Sequence, residues 1–194
     1  MKDIERRTIA VEMRVERRDQ ETPKIVGHAA LFNTLSEDLG GFREQIAPGA
    51  FAEAVKEDDV RALWNHNPDH VLGRSKAGTL LLKEDDKGLA IEIIPPDTQL
   101  ARDLMTSMDR GDITQMSFAF SVKPNGQNWG EGEDGMDVRT LTDVRLYDVS
   151  PVTYPAYTQT DVAVRSFREY LEKKEKTVDY SNERRRLELI EIDD

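Results

Sequence analysis

Residues 8–16 alternate apolar and polar side chains, with Ile9, Val11, Met13 and Val15 on one side, the two-residue period of a strand. A second strand is predicted over 24–32, after a Thr22-Pro23 step that suits a turn or an edge entry. Pro48-Gly49 closes an irregular loop, and residues 50–56 then read as a short helix with Phe51, Ala54 and Val55 facing inward. The strand period returns over 60–65, with Val60, Ala62 and Trp64 on the apolar side, and Pro68 stops it. Residues 78–83 and 88–94 form a predicted hairpin around Glu84-Asp85-Asp86-Lys87-Gly88. After Pro95-Pro96, Asp97 is the expected N-cap of a helix from Thr98 to about Arg110. Its buried stripe is Leu100, Leu104, Met105 and Met108, and Gly111 ends it.

The run Gln115-Met116-Ser117-Phe118-Ala119-Phe120-Ser121 has one oily side and one small-residue side. Met116, Phe118, Phe120 and Val122 share the first, while Gln115, Ser117, Ala119 and Ser121 share the second. The pattern predicts a hydroxyl on a rigid strand with no bulky neighbour to block an approaching chain. Residues 125–137 are rich in Gly and acidic side chains and are expected to form an exposed, mobile loop. Residues 141–149 are the last strong strand. From residue 161 the character changes: Val164, Phe167 and Leu171 give a helical stripe, and the remainder to residue 194 is dominated by charge. The expected organisation is one domain over 1–171 with a charged extension over 172–194. Many short strands, few helices and no repeated β-α-β spacing place the fold in the α+β or mainly β class.

Composition narrows the function. A chain of 194 residues supports one domain with a proper core. With 38 acidic against 27 basic side chains and a formal net charge of −11, nucleic acid is not an expected partner. No cysteine is present, so disulfides and thiolate metal sites are excluded and a reducing cytoplasm is the expected setting. No apolar stretch approaches the ~20 residues of a membrane span, so no membrane partner is expected.

A hydroxyl at Ser117, an imidazole at His66 and a carboxylate at Asp148 are the parts of an activated-serine nucleophile. His66 continues the alternation of Val60, Ala62 and Trp64, and a neutral imidazole there can accept a serine proton. Asp148 follows Val144 and Leu146 on one strand face, where a carboxylate is costly unless a donor such as an imidazole N–H meets it. Asp143 shares the opposite face with Arg145 and Tyr147, where a solvated acid needs no special partner; His28, in the second strand, is the alternative third member. Ser121 is a poorer nucleophile candidate because it lies at the Lys123-Pro124 exit. Gly73 and Arg74 are expected to support the site near a developing oxyanion. His66 and His70 invite a metal reading, but Pro68 breaks the helix that would align them and no Glu follows His66. Neither a metal nor a cofactor is therefore expected.

Three stretches, in order, resemble the prohead (head maturation) serine proteases of tailed bacteriophages, relatives of the herpesvirus capsid maturation proteases. They are Phe42-Arg43-Glu44-Gln45-Ile46-Ala47-Pro48-Gly49-Ala50-Phe51, then Ala62-Leu63-Trp64-Asn65-His66-Asn67-Pro68 with Val71-Leu72-Gly73-Arg74. The third joins Gln115-Met116-Ser117-Phe118-Ala119-Phe120 to Tyr147-Asp148-Val149-Ser150-Pro151-Val152-Thr153-Tyr154-Pro155-Ala156. The resemblance implies a small closed β-barrel of mostly antiparallel strands surrounded by helices, and a serine endopeptidase with Ser117 as nucleophile and His66 as base. The herpesvirus pattern, Ser-His-His, keeps the third position open between Asp148, Asp143 and His28. The implied substrates are the scaffold portion of the major capsid protein and the enzyme itself by autoproteolysis, in the host cytoplasm inside assembling proheads, with a homo-oligomer left open. The rival readings are a capsid-assembly or scaffold module that keeps the fold but does not cut, and a cytosolic hydrolase of small esters. The second lacks the expected Gly-x-Ser-x-Gly elbow.

Overall fold

The computed structural model describes residues 4–10, 13–18, 22–154 and 162–175. The chain divides into two compact units, Met1–Thr160 and Asp161–Asp194. In the second, a helix runs over residues 162–175; the rest of the predicted charged extension lies outside the described residues.

The first unit is built from three sheets of short strands. One has five strands in the order β1 (Glu5–Ala10), β9 (Gln115–Val122), β12 (Val144–Val152), β5 (Arg61–Leu63) and β6 (Val71–Arg74). Within it only β12 and β5 run parallel. A four-stranded antiparallel sheet has the order β2 (Arg14–Glu16), β3 (Lys24–Leu31), β8 (Gly88–Ile93) and β7 (Leu80–Glu84). The third holds β10 (Gln127–Glu131), β11 (Asp137–Leu141) and β4 (Phe42–Ile46), with β4 parallel to β11. Its helices are α1 (Ala54–Glu57), a single 3-10 turn at Ser75–Ala77, and α2 (Gln99–Asp109).

The expected closed β-barrel surrounded by helices is therefore not the architecture. Each sheet stays open, since β1 and β6 end the first without pairing to each other, and the chain leaves a sheet before it can wrap round. The strand predicted over 8–16 shows how: β1 pairs with β9, whereas β2 pairs with β3 in another sheet. One alternating pattern thus serves two sheets. The loop expected over 125–137 is instead the β10–β11 hairpin, whose backbone pairs in register from Gln127 with Leu141 to Glu131 with Asp137. Trp129 gives this polar hairpin its anchor by packing edge-on against Phe42, ring centroids 5.0 Å apart.

The hairpin expected from residues 78–94 forms as β7 and β8, its turn tied by the Asp85 carboxylate, which accepts from the backbone N–H of Lys87 and Gly88. Helix α2 is capped by Thr98 rather than Asp97: the Thr98 hydroxyl accepts from the Ala101 N–H. Leu104, Met105 and Met108 are buried as the helical period predicts, with Ala101 joining them and Leu100 only partly covered. The apolar sides of the sheets merge into one core. Phe118 stands at its centre, edge-on to Phe51 and stacked with Phe120 at ring distances of 5.7 and 5.1 Å.

A buried ionic cluster ties three strands together. Arg7 of β1 contacts Glu44 of β4 (Nε to Oε1, 2.7 Å) and Glu5 (Nη2 to Oε2, 2.7 Å), while Arg139 of β11 donates to Glu5 and to Glu44 at 2.9 Å. Glu5, Glu44 and Arg139 are each less than 5% exposed. Such charges are tolerated only because each meets two partners of opposite sign. Burial would raise the Glu5 carboxyl, but Arg139 and then Arg7 outweigh it and hold the group below its ordinary range.

Candidate active site

Ser117, His66 and Asp148 come together on one side of the five-stranded sheet. The first two are joined through His66 Nε2, 2.7 Å from Ser117 Oγ, and the last two through His66 Nδ1, 2.5 Å from Asp148 Oδ1. A carboxylate only accepts, so the bond to Asp148 places the imidazole proton on Nδ1. Nε2 is then left to accept from the Ser117 hydroxyl. The arrangement can draw a proton off Ser117 while the positive charge created on the ring faces a buried anion.

Each position has a local cause. Ser117 lies mid-strand in β9, where it pairs across the backbone with Thr8 of β1 and Ser150 of β12. Its other side is supplied by Phe118 and Met116, locked into the core, so the strand cannot twist the hydroxyl away. The predicted open hydroxyl is not observed: Ser117 is fully buried. A peptide reaches it only if the groups covering it move.

His66 is not on a strand. β5 ends at Leu63, and Asn65 and His66 both take left-handed backbone angles, φ 56° and 54°. Strand parity therefore does not place the ring; a turn does. Asn and His are among the residue types found most often in this conformation outside glycine, yet two in succession cost free energy. The turn is clamped to the end of β12, where Asn65 N–H donates to Pro151 O and the Asn65 side chain exchanges bonds with Thr153 N–H and Oγ1 at 2.8 and 3.2 Å. That clamp carries His66 across to β9 and β12.

Asp148 owes its position to a β-bulge. Leu146 lies opposite Phe120, but Asp148, two residues on, lies opposite Ala119, so the register shifts by one at Tyr147. Leu146 faces the core while Asp148 shares the Ser117 side, against the expectation that Val144, Leu146 and Asp148 lie on one face. The bulge is held by Asp58, whose Oδ2 accepts from Leu146 N–H at 2.8 Å, and by a 3.0 Å bond between Tyr147 Oη and Ser121 Oγ. Ser150 donates to Asp148 Oδ1 at 2.7 Å.

The other candidates are engaged elsewhere. His28 belongs to the four-stranded sheet and meets Asp85, Nε2 to Oδ2, at 2.9 Å. Burial alone would raise the Asp85 carboxyl, but that bond and the two turn N–H donors bring it down to about 2. Asp143 forms an ion pair with Lys123 at 2.9 Å. His70 packs beside Trp64, ring centroids 5.8 Å apart. Arg74 grips Asp59 with two bonds and gives its N–H to Thr79 Oγ1. Gly73 is needed for packing, since a Cβ there would lie 2.6 Å from Thr79 O. No group of three or more His, Cys, Asp or Glu among the described residues is placed to hold a metal ion. Asn65, Asp58 and Ser150 escaped the strand-period reading. Only Asn65 carried a signal, as the residue type that most readily takes a left-handed turn.

A buried serine, imidazole and carboxylate in one hydrogen-bonded line have the arrangement of a serine hydrolase's nucleophile relay. Residues 10–175 match the family model described as caudovirus prohead serine protease, so this chain belongs to that family. The family is one of serine proteases of the tailed-phage prohead. Among solved structures, the chain is similar to the capsid assembly protease gp21 of bacteriophage T4, at 11% identity and a TM-score of 0.46, over 76% of this chain and 98% of that one. No curated protein matches it. No helix among the described residues is long and apolar enough to cross a membrane.

Proposed function

We propose that this chain is an endopeptidase that removes the scaffold portion of the major capsid protein, and cuts itself, using Ser117 as nucleophile, His66 as general base and Asp148 as the group that orients His66. The observation that carries this reading is the unbroken line of hydrogen bonds from Ser117 Oγ through His66 to Asp148 Oδ1. Attack by Ser117 Oγ on the scissile carbonyl passes the hydroxyl proton to His66 Nε2. The imidazolium faces the Asp148 carboxylate and returns that proton to the leaving amine, giving an acyl-enzyme that water hydrolyses by the same relay. An enzyme enclosed with its substrate meets it at high local concentration, so weak sequence selectivity suffices. The protease domain is assigned to 1–171, with 172–194 as a charged segment that docks onto capsid or scaffold partners.

The full burial of Ser117 favours a second reading, a capsid-assembly module that keeps the fold without cutting. One experiment separates the two. Co-expression with the capsid protein of the same phage, followed by gel electrophoresis and mass spectrometry of released peptides, should show cleavage by the wild type and none by Ser117→Ala. Cleavage that persists undiminished in the variant would remove Ser117 from the mechanism, and an uncut capsid protein with both would favour the assembly module.

A further inference from the structure

We infer that Ser150 is a positioning residue for Asp148, an inference that rests on the proposed relay and adds a fourth member to it. Ser150 is fully buried and two residues beyond Asp148, on the Ser117 side of the sheet, where it pairs directly with Ser117. Its hydroxyl donates to Asp148 Oδ1 at 2.7 Å, the same oxygen that accepts from His66 Nδ1 at 2.5 Å.

Two donors converging on one oxygen have a mechanical consequence. The carboxylate of an aspartate turns easily about its last torsion, where the energy wells are broad. A single bond to His66 would let Oδ1 swing with the ring. Ser150 comes from the same strand as Asp148 and is fixed by the β9 pairing, so its bond ties Oδ1 to the sheet independently of the turn that carries His66. The contact is the ordinary same-face neighbour relation of residues two apart on one strand. The register shift before Asp148 sets both residues together on the Ser117 side, away from the Leu146 side. A hydroxyl is also the smallest donor able to satisfy a lone pair of a buried carboxylate in so closed a place.

The Ser150 hydroxyl bonds Asp148, while the His66 nitrogens bond Asp148 and Ser117, so its effect passes through Asp148. Removing it should lower kcat by about ten- to a hundredfold through misplacement of the relay, with KM changed less than about twofold.

The test uses p-nitrophenyl acetate as an acylating probe on the full chain, with rates taken per active site titrated by a fluorophosphonate. The low-field proton resonance of the His66–Asp148 bond is recorded alongside. Ser150→Ala should lower kcat and shift or broaden that resonance, while adding Ser150→Ala to Asp148→Asn should produce no further loss. Full multiplicative loss in the double variant, or a wild-type rate and resonance in Ser150→Ala, would overturn the role of Ser150. If Ser117→Ala instead keeps the wild-type ester burst, the relay itself is wrong, an outcome distinct from either of these. Should Ser150→Ala fold poorly, the comparison of Asp148→Asn with its double variant at matched folded fraction still decides.

Discussion

Two adjacent residues with left-handed backbone angles, Asn65 and His66, do the work that a strand was expected to do. A non-glycine residue at positive φ costs on the order of 1–2 kcal/mol, and the bonds of Asn65 to Thr153 and Pro151, with that of Asn67 N–H to Trp64 O, offset it. Asn65→Ala should therefore lower stability by about 1–3 kcal/mol and turnover by more than that loss explains, because His66 loses its anchor. Thermal unfolding and kcat measured on the same preparation check this; an unchanged kcat per folded molecule would show that the clamp does not position the imidazole. Ser117, His66 and Asp148 could be singled out as candidates in the sequence, and the fold brings the three together. The reasons were only half legible. Strand parity put His66 and Asp148 on apolar faces, but neither lies where unbroken alternation would leave it.

At the scale of elements, the bulge in β12 is the device that brings an acid beside a serine. At the shift the Leu146 N–H is met by the carboxylate of Asp58, just beyond α1, ahead of the point where β5 begins to pair with β12. Asp58→Ala strands that N–H and should cost about 1–3 kcal/mol. Turnover should fall with it, because the register after Leu146 is no longer pinned. Denaturant unfolding together with kcat on a capsid-derived peptide would show this, and a variant as stable and as active as wild type would mean the bulge holds itself. Bulges are poorly legible in a single sequence because the extra residue, here Tyr147, obeys no period. The β10–β11 hairpin was missed for a related reason: Gly130, Glu131 and Glu133 carry a loop's composition, and the pairing comes from backbone bonds and from Trp129 against Phe42.

At the scale of the whole fold, three open sheets stand where the family resemblance implied a closed barrel, and one alternating pattern over residues 8–16 concealed a change of sheet. The buried cluster of Glu5, Arg7, Glu44 and Arg139 binds β1 to β4 and β11, and it was illegible because charged residues at strand positions read as solvent-facing. Its pH signature has a definite sign. Arg139 and Arg7 hold Glu5 below its ordinary value of 4.5, so near and below that value the unfolded chain takes up a proton first. The stability that Glu5 contributes is present above this value and is lost as pH falls through the folded pKa. The melting temperature followed from about pH 7 to about pH 3 should fall steeply in the acid part, and Glu5→Gln, less stable at neutral pH, should fall less steeply over it. Equal slopes would mean that the cluster does not govern acid unfolding.

The proposed chemistry requires Ser117 to be the nucleophile. Reaction of the full chain with a fluorophosphonate, followed by peptide mass spectrometry, reads this directly by locating the covalent adduct. The predicted result is one adduct, on the Ser117 hydroxyl, formed quickly by the wild type and slowed by orders of magnitude in His66→Ala, with Ser121 and Ser150 unmodified. An adduct on another serine, or labelling of Ser117 that does not depend on His66, would contradict it.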